Sequence, residues 1–189
     1  MTELRWNSDF KSSINLDRPV LAVAFKGLFD ASGAATSALE WLSSYFSFMK
    51  LGEIDPETFF DFTQERPTVL FGESGERELR WPANEINAIK TPEGQRDLVV
   101  IAGVEPHLRW KTFSTALTEV AHEVQAETVT TLGSMVGMIP HTRPLTIIGS
   151  STNHDLAARL GLNRPSYQGP TGLVGALHDT LDKAGIPVL

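Results

Sequence analysis

The chain has 189 residues, of which 41% are hydrophobic and 21% are charged, and its formal net charge is −7. This length and composition are typical of one globular domain with a substantial core, so we expect residues 1–189 to form a single domain. The acidic balance argues against non-specific nucleic-acid binding, which requires a basic surface that displaces counterions.

The sequence contains no cysteine, which excludes disulfides and thiolate metal sites and fits a reducing compartment. The first residues contain no apolar stretch of the kind found in a signal peptide. No apolar run approaches the roughly 20 residues that span a bilayer. We therefore expect a cytoplasmic protein with no membrane partner. Because the five histidines are dispersed, we also expect no metal site, and no motif points to a cofactor.

The first predicted elements are a strand and a helix. Residues 18–25 are an apolar run of β-type residues, which predicts a central strand buried on both faces. From Ala35 to Met49 the apolar residues recur at helical spacing, which predicts an amphipathic helix. Asp30 or Ser32 is placed to cap the start of that helix.

The middle of the chain predicts a hairpin and a second buried strand. Residues 53–62 fit either a turn or the start of a helix, because an Asp-Pro pair favours both. Residues 66–82 predict a β-hairpin around Ser74-Gly75, and the second arm of this hairpin alternates between polar and apolar side chains. Residues 96–103 predict a buried strand, and the helix after it is expected to begin near Pro106.

The last third of the chain predicts two strands and two helices. The strands are expected over 127–133 and 143–151, and the helices over 153–161 and 169–185, each helix closed by a glycine. Residues 186–189 resemble the start of a strand that stops short. We therefore expect that the single domain is truncated at its C-terminus.

Strands alternate with helices along most of this sequence. That alternation predicts an α/β protein, organised as a three-layer α/β/α sandwich. In such a sandwich a mostly parallel central sheet is covered by helices on both faces.

Ligands of an open α/β sheet gather where its parallel strands end, so the polar residues after the predicted strands are the candidate site. Glu105 and His107 follow one strand and could form an acid–base pair, while Arg109 could hold an anion. The alternative is structural, with Glu105 capping a helix start and Arg109 paired with a neighbouring carboxylate.

A second candidate is the loop that carries His141 and Arg143. These residues lie between Pro140 and Pro144, so their backbone is stiff. Such a loop suits anion binding, a protein contact or a purely structural role. Because the loop precedes a predicted strand, its side chains could lie at the opposite edge of the sheet from Glu105.

The recognised catalytic and phosphate-binding patterns are absent. Neither a P-loop nor a Gly-x-Gly-x-x-Gly fingerprint occurs, and Ser134 lacks the flanking glycines of a nucleophile elbow. The His122-Glu123 pair lacks a second histidine four residues on, so it is not a zinc motif. Chemistry alone therefore predicts no catalytic residue.

Several short motifs, taken in order, nevertheless resemble those of one family. They are FKGLFDASGAATSALEWL, DPETFFDF followed by RP, RWP, GVEPHLRWKTF, LGSMVGMIPHTRP and GPTGLVGAL, spread from about residue 18 to the end. As an ordered set they resemble the proteasome-assembly-chaperone-2 (PAC2) family, in its bacterial branch.

The resemblance implies a fold, a function and a site. The fold implied is similar to that of the purine nucleoside phosphorylases, and no enzyme activity is established for the family. Eukaryotic members pair and guide assembly of proteasome α-rings, bacterial members tend to self-associate, and members usually continue well beyond position 189. The resemblance places Glu105, His107 and Arg109 in a family signature at a strand end that lines a surface groove. Together with the polar residues after the other strands and the proline-flanked loop, they give the candidate rim for a ligand or a partner protein: Asp30, Glu105, His107, Arg109, His141, Arg143 and Asn153.

Two functions compete at this stage. The first is a non-enzymatic assembly chaperone or adaptor without a cofactor, which binds an unidentified protein and forms a dimer or trimer with itself. The second is an enzyme or sensor that binds a nucleoside or a phosphorylated small molecule at the strand-end rim. The second rests on fold analogy, which is a weak warrant for function.

Overall fold

The computed structural model describes residues 3–8, 15–92, 95–145, 147–162 and 167–189. Its strands are β1 (Leu4–Trp6), β2 (Val20–Lys26), β3 (Phe48–Ile54), β4 (Thr68–Phe71), β5 (Arg77–Arg80), β6 (Asn84–Ile89), β7 (Leu98–Val104) and β8 (Thr128–Thr131). Its α-helices are α1 (Ala34–Tyr45), α2 (Trp110–Glu123), α3 (His154–Leu160) and α4 (Leu173–Lys183). Short 3₁₀ turns lie at Ala31–Gly33 and Pro56–Thr58.

Among the described residues, the main sheet has six strands in the order β1-β3-β6-β7-β2-β8. Strand β2 lies between β7 and β8 and runs parallel to both, with Val23 opposite Ile101 and Thr131. Five consecutive residues of β2, from 21 to 25, are buried. The apolar run at 18–25 therefore forms the central parallel strand that its sequence predicts.

The expectation of a mostly parallel sheet is wrong. Strands β1, β3 and β6 extend the sheet beyond β7, and each of their pairings is antiparallel. Only β6 and β7 are consecutive along the chain, whereas β1 pairs with β3 and β3 pairs with β6 across intervening elements. The protein is a mixed α/β fold, and its similarity to the purine nucleoside phosphorylases stays a prediction.

Helices cover both faces of the parallel part of the sheet, as the sequence predicts. On one face, Leu39 of α1 packs with Ala24 and Val100. On the other, Phe113 of α2 and Leu177 of α4 pack in the larger core. The small alanines of β2 fit close approach of a single helix, whereas the larger side chains of its opposite face fill the space beneath two helices.

The predicted helix over 35–49 is too long. Helix α1 ends at Tyr45, and Met49 lies in β3. The helical spacing of apolar residues extends beyond the end of α1 because the first residues of β3 are also apolar. The predicted hairpin around Ser74-Gly75 is confirmed, with β4 and β5 antiparallel and Val69 opposite Leu79.

The strand predicted over 143–151 is wrong. No strand forms in the described part of that segment, and the side chains of Ile147 and Ile148 are exposed. The free edge of β8 is already used by residues 187–189, since Val129 donates to Pro187 O at 2.9 Å and accepts from Leu189 N at 2.9 Å. The final residues therefore pair with β8 through an isolated parallel bridge between Val188 and Val129.

Candidate functional site

The carboxyl ends of β2, β7 and β8 meet at one edge of the sheet, which we call the carboxyl-end rim (residues 27–33, 105–109 and 132–134). Glu105 N donates to Lys26 O at 2.9 Å, so the first two segments continue the β2–β7 ladder. Ser134 N donates to Phe29 O at 2.9 Å, which joins the third. The convergence of segments after the strands is confirmed for β2 and β7, but the third partner is the segment after β8.

A depression of about 600 Å³ lies in this rim. It lies where the chain leaves β2 for α1 on one face of the sheet and leaves β7 for α2 on the other. Ligands of open α/β sheets bind at such a point. The depression is lined by Lys26, Gly27, Leu28, Glu65, Val104, Glu105, Pro106, His107, Trp110, Thr171 and Gly172.

Glu105 is held in this depression by the backbone on both sides of it. Its Oε2 accepts a hydrogen bond from Leu28 N at 3.1 Å, and its Oε1 accepts one from Leu173 N at 3.2 Å. Leu173 is the first residue of α4, so the carboxylate also lies at the positive end of that helix dipole. The Glu105 carboxylate thus links the end of β7 to the loop after β2 and to α4 through hydrogen bonds.

Two glycines make this arrangement possible. A Cβ at Gly27 would lie 2.2 Å from Oε2 of Glu105, and a Cβ at Gly172 would lie 2.7 Å from Cε2 of Phe29. Any larger residue would force these segments apart. The glycines of the family motifs at these positions therefore serve close packing.

His107 is tied to the segment that follows β3. Its Nδ1 accepts from Asp61 N at 3.3 Å, and its own backbone N–H donates to Phe59 O at 3.0 Å. Its ring contacts Phe60 edge-on, with centroids 6.0 Å apart.

The carboxylate beside His107 is fixed in its ionised form. Hydrogen bonds from Gln64 and Thr63 lower the pKa of Asp61 to about 2. The bonds come from Gln64 Nε2 at 3.0 Å and from Thr63 Oγ1 at 2.6 Å. A carboxyl group with that pKa holds no proton near neutral pH, so Asp61 does not serve His107 as an acid.

Arg109 stands at the start of α2 in a left-handed backbone conformation, with φ of 57°. Its side chain is exposed, and within the described ranges no hydrogen bond or ion pair is formed by its guanidinium. The sequence-based alternative in which Arg109 pairs with a neighbouring carboxylate is therefore not seen among these residues. Arg109 does not line the depression.

Asp30 and Asn153 cap helices. Asp30 is buried, and its Oδ1 accepts from Ala35 N at 2.8 Å, which confirms the predicted cap of α1. Its Oδ2 accepts from Thr36 Oγ1 at 2.6 Å. Asn153 Oδ1 accepts from Leu156 N at 2.9 Å and caps α3. The acceptor atoms of both side chains are thus engaged by their own helices.

His141 and Arg143 are exposed in the loop after β8, in a turn closed by Arg143 N donating to Pro140 O at 2.9 Å. Neither residue lines the depression. The structure therefore brings Glu105 and His107 together there, and leaves Arg109, His141 and Arg143 outside it. Whether any of these residues binds a ligand or a partner stays a prediction.

The depression also contains residues that the sequence did not single out. Lys26 is the last residue of β2, so its position after a predicted strand was a usable signal. Glu65 and Thr171 carried no such signal, because only the tertiary fold brings them to this edge. In the part of the chain that the structure describes, no group of three or more potential ligand side chains could hold a metal ion.

The loop that leaves the rim after β8 exposes an unusual amount of apolar surface. We call residues 135–139, 145, 147 and 148 the apolar loop. Val136 is 92% exposed and Ile147 is 94% exposed, and Met135, Met138, Leu145 and Ile148 are also exposed. Exposed apolar side chains that are concentrated in one segment can mark an interaction site.

The comparison with protein families matches the PAC2 family model over residues 24–189. The chain belongs to the PAC2 family. No curated protein sequence gives a significant match to the chain. No helix in the described ranges is long and apolar enough to cross a membrane.

Solved structures of bacterial proteins share this PAC2 fold. A PAC2 family protein from Streptomyces avermitilis is 37% identical over 90% of this chain and 72% of that chain, with a TM-score of 0.86. A proteasome-assembly chaperone homologue from Mycobacterium tuberculosis is 36% identical over 89% of this chain and 72% of that chain, with a TM-score of 0.80.

An archaeal structure extends the comparison of fold alone. PbaA from Pyrococcus furiosus, an archaeal homologue of proteasome-assembly chaperones, is 16% identical over 93% of this chain and 71% of that chain. Its TM-score is 0.61. The overall fold of this chain is thus similar to that of this distant relative.

Proposed function

We propose that this PAC2 protein is a non-enzymatic assembly chaperone or adaptor that binds another protein. The observation that carries the proposal is the apolar loop, which begins at the carboxyl-end rim and exposes Val136, Met138 and Ile147. Apolar side chains of this kind gain free energy when a partner removes them from water. The client protein is unidentified.

The chemistry of the rim supports a binding role over a catalytic one. Both oxygens of Glu105 accept backbone N–H groups, and both oxygens of Asp30 accept from the start of α1. A general base must reach a proton of the substrate, whereas these carboxylates are turned toward the protein. The rim residues therefore shape the surface from which the apolar loop extends.

The relatives point in the same direction. The Mycobacterium tuberculosis structure is that of a proteasome-assembly chaperone homologue. Carried to this chain, that description suggests an assembly client, a cytoplasmic setting and self-association into a dimer or trimer. No cofactor is needed for such a role.

The proposal is tested by capture from a native lysate of the source organism. The variant Val136→Ser/Met138→Ser/Ile147→Ser makes the apolar loop polar, and Trp41→Ser/Tyr45→Ser is the matched control, because it removes exposed aromatic side chains from α1. We expect the wild type and the control to enrich the same partner, and the loop variant to bind the purified partner at least about tenfold more weakly. Equal binding by the loop variant, or turnover of a metabolite by the wild type, would contradict the proposal.

A second candidate is an enzyme or sensor for a nucleoside or a phosphorylated molecule. The observation in its favour is the position of the depression at the strand ends, together with the expected likeness to purine nucleoside phosphorylases. Against it, Glu65 and Glu105 line the depression beside one lysine, Lys26, which does not suit an anion. We expect nucleosides, nucleotides and phosphate to leave the melting temperature unchanged; a rise that is lost in Lys26→Ala would favour this candidate.

A further inference from the structure

The β4–β5 hairpin is a sheet of its own, separate from the six-stranded sheet. One of its faces carries Val69, Phe71, Leu79 and, just beyond β5, Trp81; all four side chains are exposed, and Phe71 is 72% exposed. An isolated two-stranded hairpin is at best marginally stable in water, because it has too little to pack against. Among the described residues, neither outer edge of the hairpin is paired with another strand.

The ladder of the hairpin determines which backbone groups point outward. Gly72 N donates to Glu76 O at 2.9 Å, so that pair is hydrogen-bonded, and hydrogen-bonded pairs alternate along an antiparallel ladder. The next hydrogen-bonded pair is Leu70 with Glu78. The N–H and C=O groups of Val69 and Phe71 consequently face away from β5, along the outer edge of β4.

An antiparallel register centred on Leu70 satisfies these groups when a second β4 approaches. If a two-fold axis passes through Leu70, then Val69 of each copy lies opposite Phe71 of the other, and each can exchange both hydrogen bonds with its counterpart. The register keeps the apolar faces of the two hairpins on one side of the joined sheet. A two-fold axis through Val69 would instead place Phe71 opposite Pro67, which has no N–H to donate.

Charge complementarity selects the same partner and the same direction. Exposed Arg66 lies before β4, Glu73 and Glu76 lie in the turn after it, and no charged residue lies between them on this strand. Antiparallel pairing brings Arg66 of each copy beside the acidic turn of the other. Parallel pairing would bring like charges together, which is unfavourable across strands.

The outer edge of β5 is less suited to the same use. A two-fold axis through Glu78 would place that carboxylate opposite its own copy, which is destabilising. The strand also leads directly into Trp81, whose ring packs on Phe62 of the same chain with centroids 4.8 Å apart. Charged side chains and a short strand are common ways in which proteins protect the edge of a sheet from pairing with another chain.

We propose that the outer edge of β4 binds β4 of a second copy of this chain, antiparallel and centred on Leu70, to form a four-stranded sheet. The pairing satisfies the outward groups of Val69 and Phe71 and covers the exposed edge. It locates the self-association expected of the protein, and so deepens the proposed function. Its failure would leave client binding through the apolar loop untouched, since the two surfaces share no residue.

Cysteine cross-linking tests the register, because the chain has no native cysteine. In Leu70→Cys the two sulfur-bearing residues face each other as a pair with Cα atoms about 4.5 Å apart, which is within disulfide range. The matched control is Thr68→Cys, on the same strand and face, whose copies would lie roughly 14 Å apart along the strand. We expect mild oxidation to give a disulfide-linked dimer for Leu70→Cys and none for Thr68→Cys. Equal cross-linking, or none, would overturn the register, as would a dimer formed preferentially by Leu79→Cys.

Sedimentation velocity of the full chain gives a second measurement. Val69→Pro removes an N–H that faces away from β5, so the hairpin itself keeps its ladder. We expect this variant to weaken self-association by about tenfold or more. The two-fold symmetry means that one hydrogen bond from Val69 is lost in each of the two copies. Thr68→Ser, on the same strand, should associate like the wild type. A wild type that is monomeric at all concentrations, or a Val69→Pro that associates like wild type, would overturn the proposal.

Discussion

Glu105 shows how a side chain that looks catalytic in the sequence can be structural in the fold. Its two oxygens accept from Leu28 N and Leu173 N, which belong to segments on either side of it. The sequence left open whether Glu105 is an acid–base group or a helix cap. The structure agrees better with the capping alternative, but the helix that Glu105 caps is α4 and not α2, which follows Glu105 in the chain.

The stability of the protein should depend on this carboxylate. Removing it in Glu105→Ala leaves two backbone N–H groups without their acceptors, and we expect a loss of about 2 kcal/mol or more in the free energy of unfolding. Glu105→Gln should lose part of that amount, because one of its atoms becomes a donor. Denaturant unfolding monitored by tryptophan fluorescence measures both.

Arg109→Ala is the control for Glu105. Its guanidinium is exposed, so we expect a change within about 0.5 kcal/mol. If Glu105→Ala were as stable as Arg109→Ala, the carboxylate would not be the tie that its distances indicate.

No sequence pattern could have identified the partners of Glu105. Leu28 and Leu173 offer only backbone N–H groups, which every residue but proline possesses, so their side chains carry no signal. By contrast, the cap by Asp30 was predictable, because it acts on Ala35 only five residues away.

At the scale of elements, the junction between β6 and β7 depends on one asparagine and one glycine. Buried Asn84 pairs with the backbone of Val104, accepting from its N–H at 2.7 Å and donating to its C=O at 3.2 Å. A Cβ at Gly103 would lie 1.8 Å from Asn84 Oδ1. The side chain of Asn84 therefore continues the ladder in the space that Gly103 leaves.

This packing predicts a coupling between two substitutions. We expect Gly103→Ala to destabilise the protein by about 1–3 kcal/mol, because the added methyl group displaces the amide of Asn84. Asn84→Ala should cost about 1–3 kcal/mol through the lost hydrogen bonds. In the double variant the collision is gone, so the total should be less than the sum, as a double-mutant cycle in denaturant unfolding would measure. Additive costs would contradict the contact.

The same scale shows why three strands escaped the sequence analysis. Strand β3 contains Gly52, β6 contains Asn84 and Asn87, and β1 has three residues, so none forms the long apolar run that signals a buried strand. The segment 143–151 failed in the opposite way, since its apolar composition resembles a strand but β8 has another neighbour. Strands are defined by partners, and a partner distant in sequence leaves no local pattern.

At the scale of the molecule, Asp97 ties distant stretches of chain together at the amino-end edge of the parallel strands. Its Oδ2 accepts from Lys90 Nζ at 2.7 Å and from Asp17 N at 2.8 Å, and its Oδ1 accepts from Thr91 N at 3.0 Å. Burial acts to raise the pKa of Asp97, but the hydrogen bonds from Lys90, Asp17 and Thr91 outweigh it and lower the pKa overall.

A lowered carboxyl pKa makes the stability of the whole molecule sensitive to acid. The folded state binds the proton less readily than the unfolded chain, so this contribution is present at neutral pH and is lost as the pH falls below the ordinary value of about 4. We expect Asp97→Asn to be less stable than the wild type at pH 7 and to lose less stability between pH 7 and pH 3. Unfolding free energies of both proteins at each pH provide the measurement; parallel pH profiles would contradict it.

The layers of the molecule were predictable, but the direction of its sheet was not. Apolar periodicity at 18–25 and 96–103 located the buried parallel strands, and helical spacing located α1 and α2. Strand direction depends on how each connection turns in space, which composition does not encode. The candidate site could be predicted as a rim, whereas its internal contacts required the fold.

The Glu105 contacts also bear on how the chain folds during synthesis. The carboxylate meets Leu28 across 77 residues and Leu173 across 68 residues of sequence. During synthesis residue 28 emerges from the ribosome early and residue 173 emerges much later. One oxygen of the Glu105 carboxylate therefore has no hydrogen-bond donor from α4 until that helix has emerged. The corner of the domain therefore closes in a late step, and until then the nascent chain presents an incomplete edge that a general chaperone can hold.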